Sequence, residues 1–297
     1  EIPLRLVGSE MCIRDRLKRG GYYMQHKLFC EISPTCYAIS EQKEICKRYI
    51  KDWFCKQSFA HTLEQEHRLP NIVSSESSHL IKRGKGIDPR LQQNKAINIQ
   101  LACEKINGIL IRPGEVFSFW RTVGKTTKRK GYQDGRVIVG DRLKPGLGGG
   151  LCNLSNTIHR LILHSPLTVT EFHSHSDALA PDAGKRIPFS SGTSVSYNYI
   201  DYRFQNNTNQ CVQLLLWCEN EKLYGELRSE HVFPQKFELV EEGHHFQKEG
   251  NKYYRVSKIY KVAKDRATGE QIDKQLVLDN HSEVMYDYDL IPKEWIP

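Results

Sequence analysis

The stretch that most constrains this chain is Gly146-Leu147-Gly148-Gly149-Gly150-Leu151-Cys152-Asn153-Leu154-Ser155-Asn156. Consecutive glycines let a backbone turn sharply and lie close against a neighbour. Immediately after them, Leu151, Leu154, Ile158 and Leu161 recur at three- and four-residue spacing, with Ile162 beside them, which predicts an amphipathic helix. Cys152 then falls in the first helical turn, where unpaired N–H groups and the helix dipole favour negative charge. A thiol held there is expected to ionise more readily than a free cysteine. A cleared space, a polarised thiol and free backbone donors are what acyl transfer asks of a nucleophile and an oxyanion site. The structural alternative is a small buried cysteine behind a turn that merely brings a helix close to a sheet.

The neighbouring pattern predicts an α+β fold: an antiparallel sheet with two main helices, 88–107 and 152–164, packed against it. Asp88 can cap the first helix and Pro89 suits its first turn. Leu91, Ile99, Cys103 and Ile106 mark its buried stripe, and Asn107-Gly108 ends it. Arg112-Pro113-Gly114-Glu115 is a turn into a strand-like run, Val116–Trp120. Past the Cys152 helix, Leu167–His175 predicts a strand with Val169, Glu171, His173 and His175 on one face. Thr193–Phe204, Cys211–Cys218 and Leu223–Arg228 predict an antiparallel meander. Residues 231–297 read as a β-rich extension with a hairpin around Ala267-Thr268-Gly269, and 70–86, rich in serine and glycine, as a linker.

A cysteine nucleophile needs a base, and often a third group to orient it. His173 or His175 can take the thiol proton, with Glu171, Asp177 or Asp201 orienting the ring. That order of thiol and histidine is similar in layout to papain-like and NlpC-type peptidases. His159 shares the helix with Cys152 but sits roughly ten ångströms along it, too far to touch. A zinc site from His173 and His175 with Cys152 or Asp182 is a second possibility. The third is an anion cradle, because a glycine turn opening a helix binds phosphates and carboxylates. Residues 121–144 add eight Lys/Arg against Asp134 and Asp141, a net +6. Contacts expected for such a ligand are Gly148, Gly149, Gly150, Asn153 and Ser155, with Arg129, Lys130 and Arg136 from the basic stretch. The Lys-Ser/Thr ending of a P-loop is missing, which argues against nucleotide hydrolysis.

Several ordered blocks also resemble the VanW family. They are Asn107–Trp120 (NGILIRPGEVFSFW), Val123-Gly124, Gly148-Gly149-Gly150-Leu151-Cys152 and Asp201–Thr208 (DYRFQNNT), and the resemblance covers roughly residues 86–230. The resemblance implies a cell-wall and glycopeptide-resistance context, with peptidoglycan precursors or muropeptides as partners. Two departures are visible. Members commonly carry Gln after the cysteine, where this chain has Asn153. Many carry an Asp in Gly-x-Asp-Ala-x-Val, where Ser191-Gly192-Thr193-Ser194-Val195 stands here. A mechanism resting on that Asp does not transfer to this chain.

The charge balance of +8 favours acidic partners, but no aromatic and basic residues interleave as in an RNA-binding signature, so no nucleic acid is expected. No cofactor is expected either. No apolar run of about twenty residues predicts a transmembrane helix. Nine irregularly spaced cysteines predict reduced thiols in a cytoplasmic protein. Residues 1–23 fit nothing downstream and are expected to be non-native or disordered, with Met24 the start of a mixed segment, 24–85. Within it, Ile45, Tyr49, Trp53 and Phe54 recur at helical spacing among lysines. Residues 41–59 are therefore either a helix packed on its own domain or one lying on a membrane surface.

Overall fold

A computed structural model describes residues 29–81, 83, 88–139, 142–174, 177, 178, 188 and 193–296, with backbone alone at 31, 136–139, 142–145 and 177. The expectation for 1–23 lies outside these residues.

The helices are α1 (Phe29–Ile32), α2 (Pro34–Phe54), α3 (Pro89–Ile106), α4 (Phe119–Val123) and α5 (Leu151–Leu163). In chain order the first strands are β1 (Thr62–Leu63), β2 (Asn71–His79), β3 (Ile109–Ile111) and β4 (Val116–Ser118). The hairpin β5 (Asp134–Val139) and β6 (Arg142–Leu147) leads into α5, followed by β7 (Thr168–Glu171) and β8 (Asp177–Ala178). Then come β9 (Arg203–Gln205), β10 (Val212–Glu219) and β11 (Lys222–Ser229). Last are β12 (Gln235–Glu249), β13 (Lys252–Asp265) and β14 (Gln271–Val284).

The fold is α+β. Its main sheet is antiparallel in the order β1-β3-β10-β11-β2. Helices α3 and α5 pack against it, and their stripes meet β3, β10 and β11 in one core containing Ile99, Ile106, Leu154, Ile158, Leu161, Leu214 and Leu227. Both helices start as their sequences predict: Asp88 accepts from the Arg90 N–H at 2.8 Å, and Gly150 holds the position before α5. A second sheet orders β4-β9-β7, and a third orders β12-β13-β14-β8, with β8 parallel to β14. The long hairpins of the third sheet bury Phe246, Val284 and Ile291 in a separate small core.

Four expectations need correction. The supposed linker contains β2, a nine-residue edge strand that pairs with β11. Its serines are used: Ser74 donates to the Leu161 carbonyl at 3.0 Å, and Glu76 meets Arg160 at 2.8 Å. The run Val116–Trp120 is a strand only to Ser118, whose hydroxyl then caps α4 by accepting from the Arg121 N–H at 3.3 Å. The predicted meander is split, because β9 leaves β10 and pairs with β4 and β7 instead. Strand β7 stops at Glu171 after a bulge, so residues beyond it no longer alternate as the pattern implied.

Candidate functional site

The glycine turn is built by close approach. Gly148 and Gly150 have φ of +76° and +103°, which disfavour other residues. A Cβ at Gly148 would press on Thr126, and one at Gly150 would collide with the Lys95 side chain. Asn98, fully buried on α3, clamps the turn from below. Its amide donates to the Gln133 carbonyl at 3.0 Å and the Gly149 carbonyl at 2.9 Å, and its oxygen accepts from the Gln133 N–H at 2.8 Å. Gly148 N–H also bonds the Gln133 carbonyl at 3.0 Å. The basic loop of residues 124–131 is thereby fastened to the start of α5. Sequence reasoning missed Asn98; its one signal was an amide inside an otherwise apolar stripe.

Helix α5 begins with no side-chain cap and no acid in its first turn. Among the described residues no side chain caps its first-turn N–H groups, which keep the positive end of the dipole. Arg129 and Lys130 lie exposed in the adjoining one-turn helix, Lys128–Lys130, with Lys130 Nζ donating to the Lys125 carbonyl at 2.9 Å. The Arg136 side chain lies outside the described residues. The Asn153 amide nitrogen and the Ser155 hydroxyl are buried and have no hydrogen-bond partner among the described residues.

Cys152 does not behave as predicted. Burial pushes its thiol up rather than down, and its only described partner is the Val195 carbonyl, at 3.9 Å. Desolvation of the thiolate outweighs the helix-start effect here. No described contact joins His173 to the thiol. The histidine's Nε2 lies 3.1 Å from Glu171, within the ion-pair cluster under α2. His175 and Asp182 lie outside the described residues, and among the described residues no cluster of His, Cys, Asp and Glu fits a metal ion. His159 is stacked on Phe172 at 4.2 Å with Nδ1 3.2 Å from the Tyr202 hydroxyl, and burial with nearby Lys261 pushes it down to about 3.

Among the described residues Asp201 meets no imidazole. Fully buried, it accepts from Ser118 Oγ at 2.5 Å, the Trp120 and Tyr202 N–H groups at 3.0 and 2.9 Å, and Arg203 Nε at 2.7 Å. Arg203 in turn grips Asp52 of α2 with two bonds of 2.8 and 2.7 Å. Arg48, one turn earlier, grips Glu171 at 2.6 and 2.5 Å. Burial would raise the Glu171 carboxyl, but His173, Arg48 and the Asp201 N–H together hold it down to about 2. This cluster ties α2 to β7 and β9, and every carboxylate in it is paired.

Residues 94–228 match a family model described as VanW like protein. The chain is 29% identical over 245 residues to the vancomycin B-type resistance protein VanW of Enterococcus faecalis, covering 82% of this chain and 88% of that protein. It is 32% identical over 118 residues to the uncharacterized protein YoaR of Bacillus subtilis, covering 40% of this chain and 37% of that one. No solved structure matches the chain.

Proposed function

We propose, starting from the premise that this chain belongs to the VanW family, that it is a vancomycin-resistance-associated protein that binds an anionic peptidoglycan precursor or stem peptide without cutting it. One observation carries this reading: the uncapped start of α5 is fastened beside a basic loop through Gly148, Thr126 and Gln133. Helix N–H groups and nearby cations are the donors that a pyrophosphate or carboxylate needs. Asn153 and Ser155 supply further donors whose own partners are missing among the described residues. Cysteine-dependent amide chemistry has less support, since the Cys152 thiol is pushed up and His173 is committed to Glu171. A cytoplasmic location is part of the same proposal.

The experiment is calorimetric titration with a UDP-linked muramyl pentapeptide. Arg129→Glu with Lys130→Glu is expected to weaken binding about tenfold or more, since each lost charged contact is worth about 1 kcal/mol or more. Unchanged affinity in that variant, or no binding by the wild type, would remove the reading.

A further inference from the structure

Helix α2 is mounted inside out. The face turned to the protein carries Tyr37, Ser40, Glu41, Glu44, Arg48 and Asp52, with Ile45 the buried aliphatic residue among them. It is held by ion pairs, Arg48 to Glu171 and Asp52 to Arg203, rather than by an apolar stripe. The opposite face carries the apolar residues. Ile39, Ile50, Trp53 and Phe54 are 54%, 57%, 85% and 79% exposed, and Ile32 just before the helix is 61% exposed. Ile39, Cys46, Ile50 and Trp53 follow one another at three-, four- and seven-residue steps, so they form one stripe along the helix.

The charges sort with the same polarity. Lys43, Lys47, Lys51 and Lys56 are all exposed, whereas Glu41, Glu44 and Asp52 are less exposed, Glu44 reaching Lys47 along the helix at 2.7 Å. By helical position the first three lysines flank the apolar stripe on one side. A protein that needed α2 only for packing would bury the stripe and expose the acids. Among the described residues the molecule does the reverse, at the cost of leaving a tryptophan and a phenylalanine in water.

We propose that α2 docks on the surface of an anionic lipid bilayer, with Trp53, Phe54, Ile50 and Ile39 entering the interface and the lysines meeting lipid phosphates. Charge complementarity selects this occupant over a second copy of the chain, because pairing two such faces would set lysines against lysines. Lysine stems are long enough to lie along the apolar surface while their ammonium groups reach the headgroups. The ion-paired inner face fixes the stripe's orientation, so docking needs no unfolding. No helix of the described residues is long and apolar enough to cross a membrane, and this docking requires none.

The test uses the full chain with vesicles of phosphatidylglycerol and phosphatidylcholine in equal parts, and with phosphatidylcholine alone. Co-sedimentation is expected with the mixed vesicles, together with a blue shift of tryptophan emission that is lost in Trp53→Phe. Lys43→Glu combined with Lys47→Glu should cut the bound fraction about tenfold or more. Ile50→Ser with Trp53→Ser should cut it comparably, with the thermal midpoint unchanged because both side chains are exposed. No uptake by anionic vesicles overturns the proposal, as does uptake that these variants leave intact. A dimer that Ile50→Ser dissolves, without vesicle binding, would hand the face to a second copy instead.

Discussion

Two polar regions of this molecule differ in one respect that decides what each is for. Under α2, Arg48, Asp52, Glu171, Asp201 and Arg203 pair among themselves until each carboxylate has its donors. At the start of α5, the cap has no side chain, the first turn has no acid, and Asn153 and Ser155 have buried atoms with no partner among the described residues. A buried polar network that satisfies itself fixes geometry; one left short of acceptors is completed by something else. The sequence motif with the strongest chemical suggestion thus marks the unsatisfied region. The histidine and aspartate first enlisted to activate its thiol belong to the satisfied one.

The sharpest way to break this contrast is to open the satisfied cluster. Arg203→Met leaves Asp201 buried without its guanidinium and Asp52 with the longer Arg121 contact at 3.5 Å, while the Phe59 ring keeps Arg121 at 4.2 Å. Removing one partner of a buried pair costs about 3–5 kcal/mol, so urea denaturation should show a loss of that size. A loss near zero would mean the cluster is solvated and the contrast false.

Acid separates two further contributions. His159 is neutral when folded and is held down from 6.5 to about 3, mainly by burial. The unfolded chain therefore takes up a proton below pH 6.5 that the folded chain refuses, and stability falls as pH drops from 6.5 toward 3. The expected slope is about 1.4 kcal/mol per pH unit, and His159→Phe should flatten it. Glu171 stays ionised down to about 2, so its contribution is complete above pH 4.5 and is lost between 4.5 and 2. Glu171→Gln should lower stability throughout the range above pH 4.5 and remove the pH dependence between 4.5 and 2. Both are read from denaturation midpoints across pH.

Smaller effects test the edge of the core and the thiol. Ser74→Ala removes the bond from β2 to the Leu161 carbonyl and should cost about 1 kcal/mol. Alkylation of Cys152, followed by peptide mass spectrometry, should have a pH midpoint above the roughly 8.5 of a free thiol. A midpoint near 7 would restore the nucleophile and undo the contrast from the other side.

What the sequence made legible follows from how local each signal was. Helices α3 and α5 were readable because stripe, cap and glycine punctuation lie within a few residues of one another. Strand β2 was not, since serines have little strand preference and it is their bonds to Leu161 and Thr157, far away in sequence, that hold it. The ion-pair cluster was equally hidden. Arg48 and Glu171 are 123 residues apart, and nothing around either predicts the other. At the candidate site, the glycine turn and basic loop were visible, but the fate of His173 depended on a bulge in β7 that turns the chain after Val169. Burial, which decides the thiol's proton affinity, is a tertiary property that the first turn of a helix cannot announce.

The most direct measurement compares the affinity of the wild type and Cys152→Ala for the muramyl pentapeptide, with intact-mass spectra taken on both. A binding site made by helix N–H groups and the basic loop predicts affinities within about fivefold, since a removed methyl-sized contact is worth only a few tenths of a kcal/mol to about 1 kcal/mol. It also predicts no mass shift in either protein. A wild-type adduct at Cys152, or binding that disappears with the sulfur, would contradict the account.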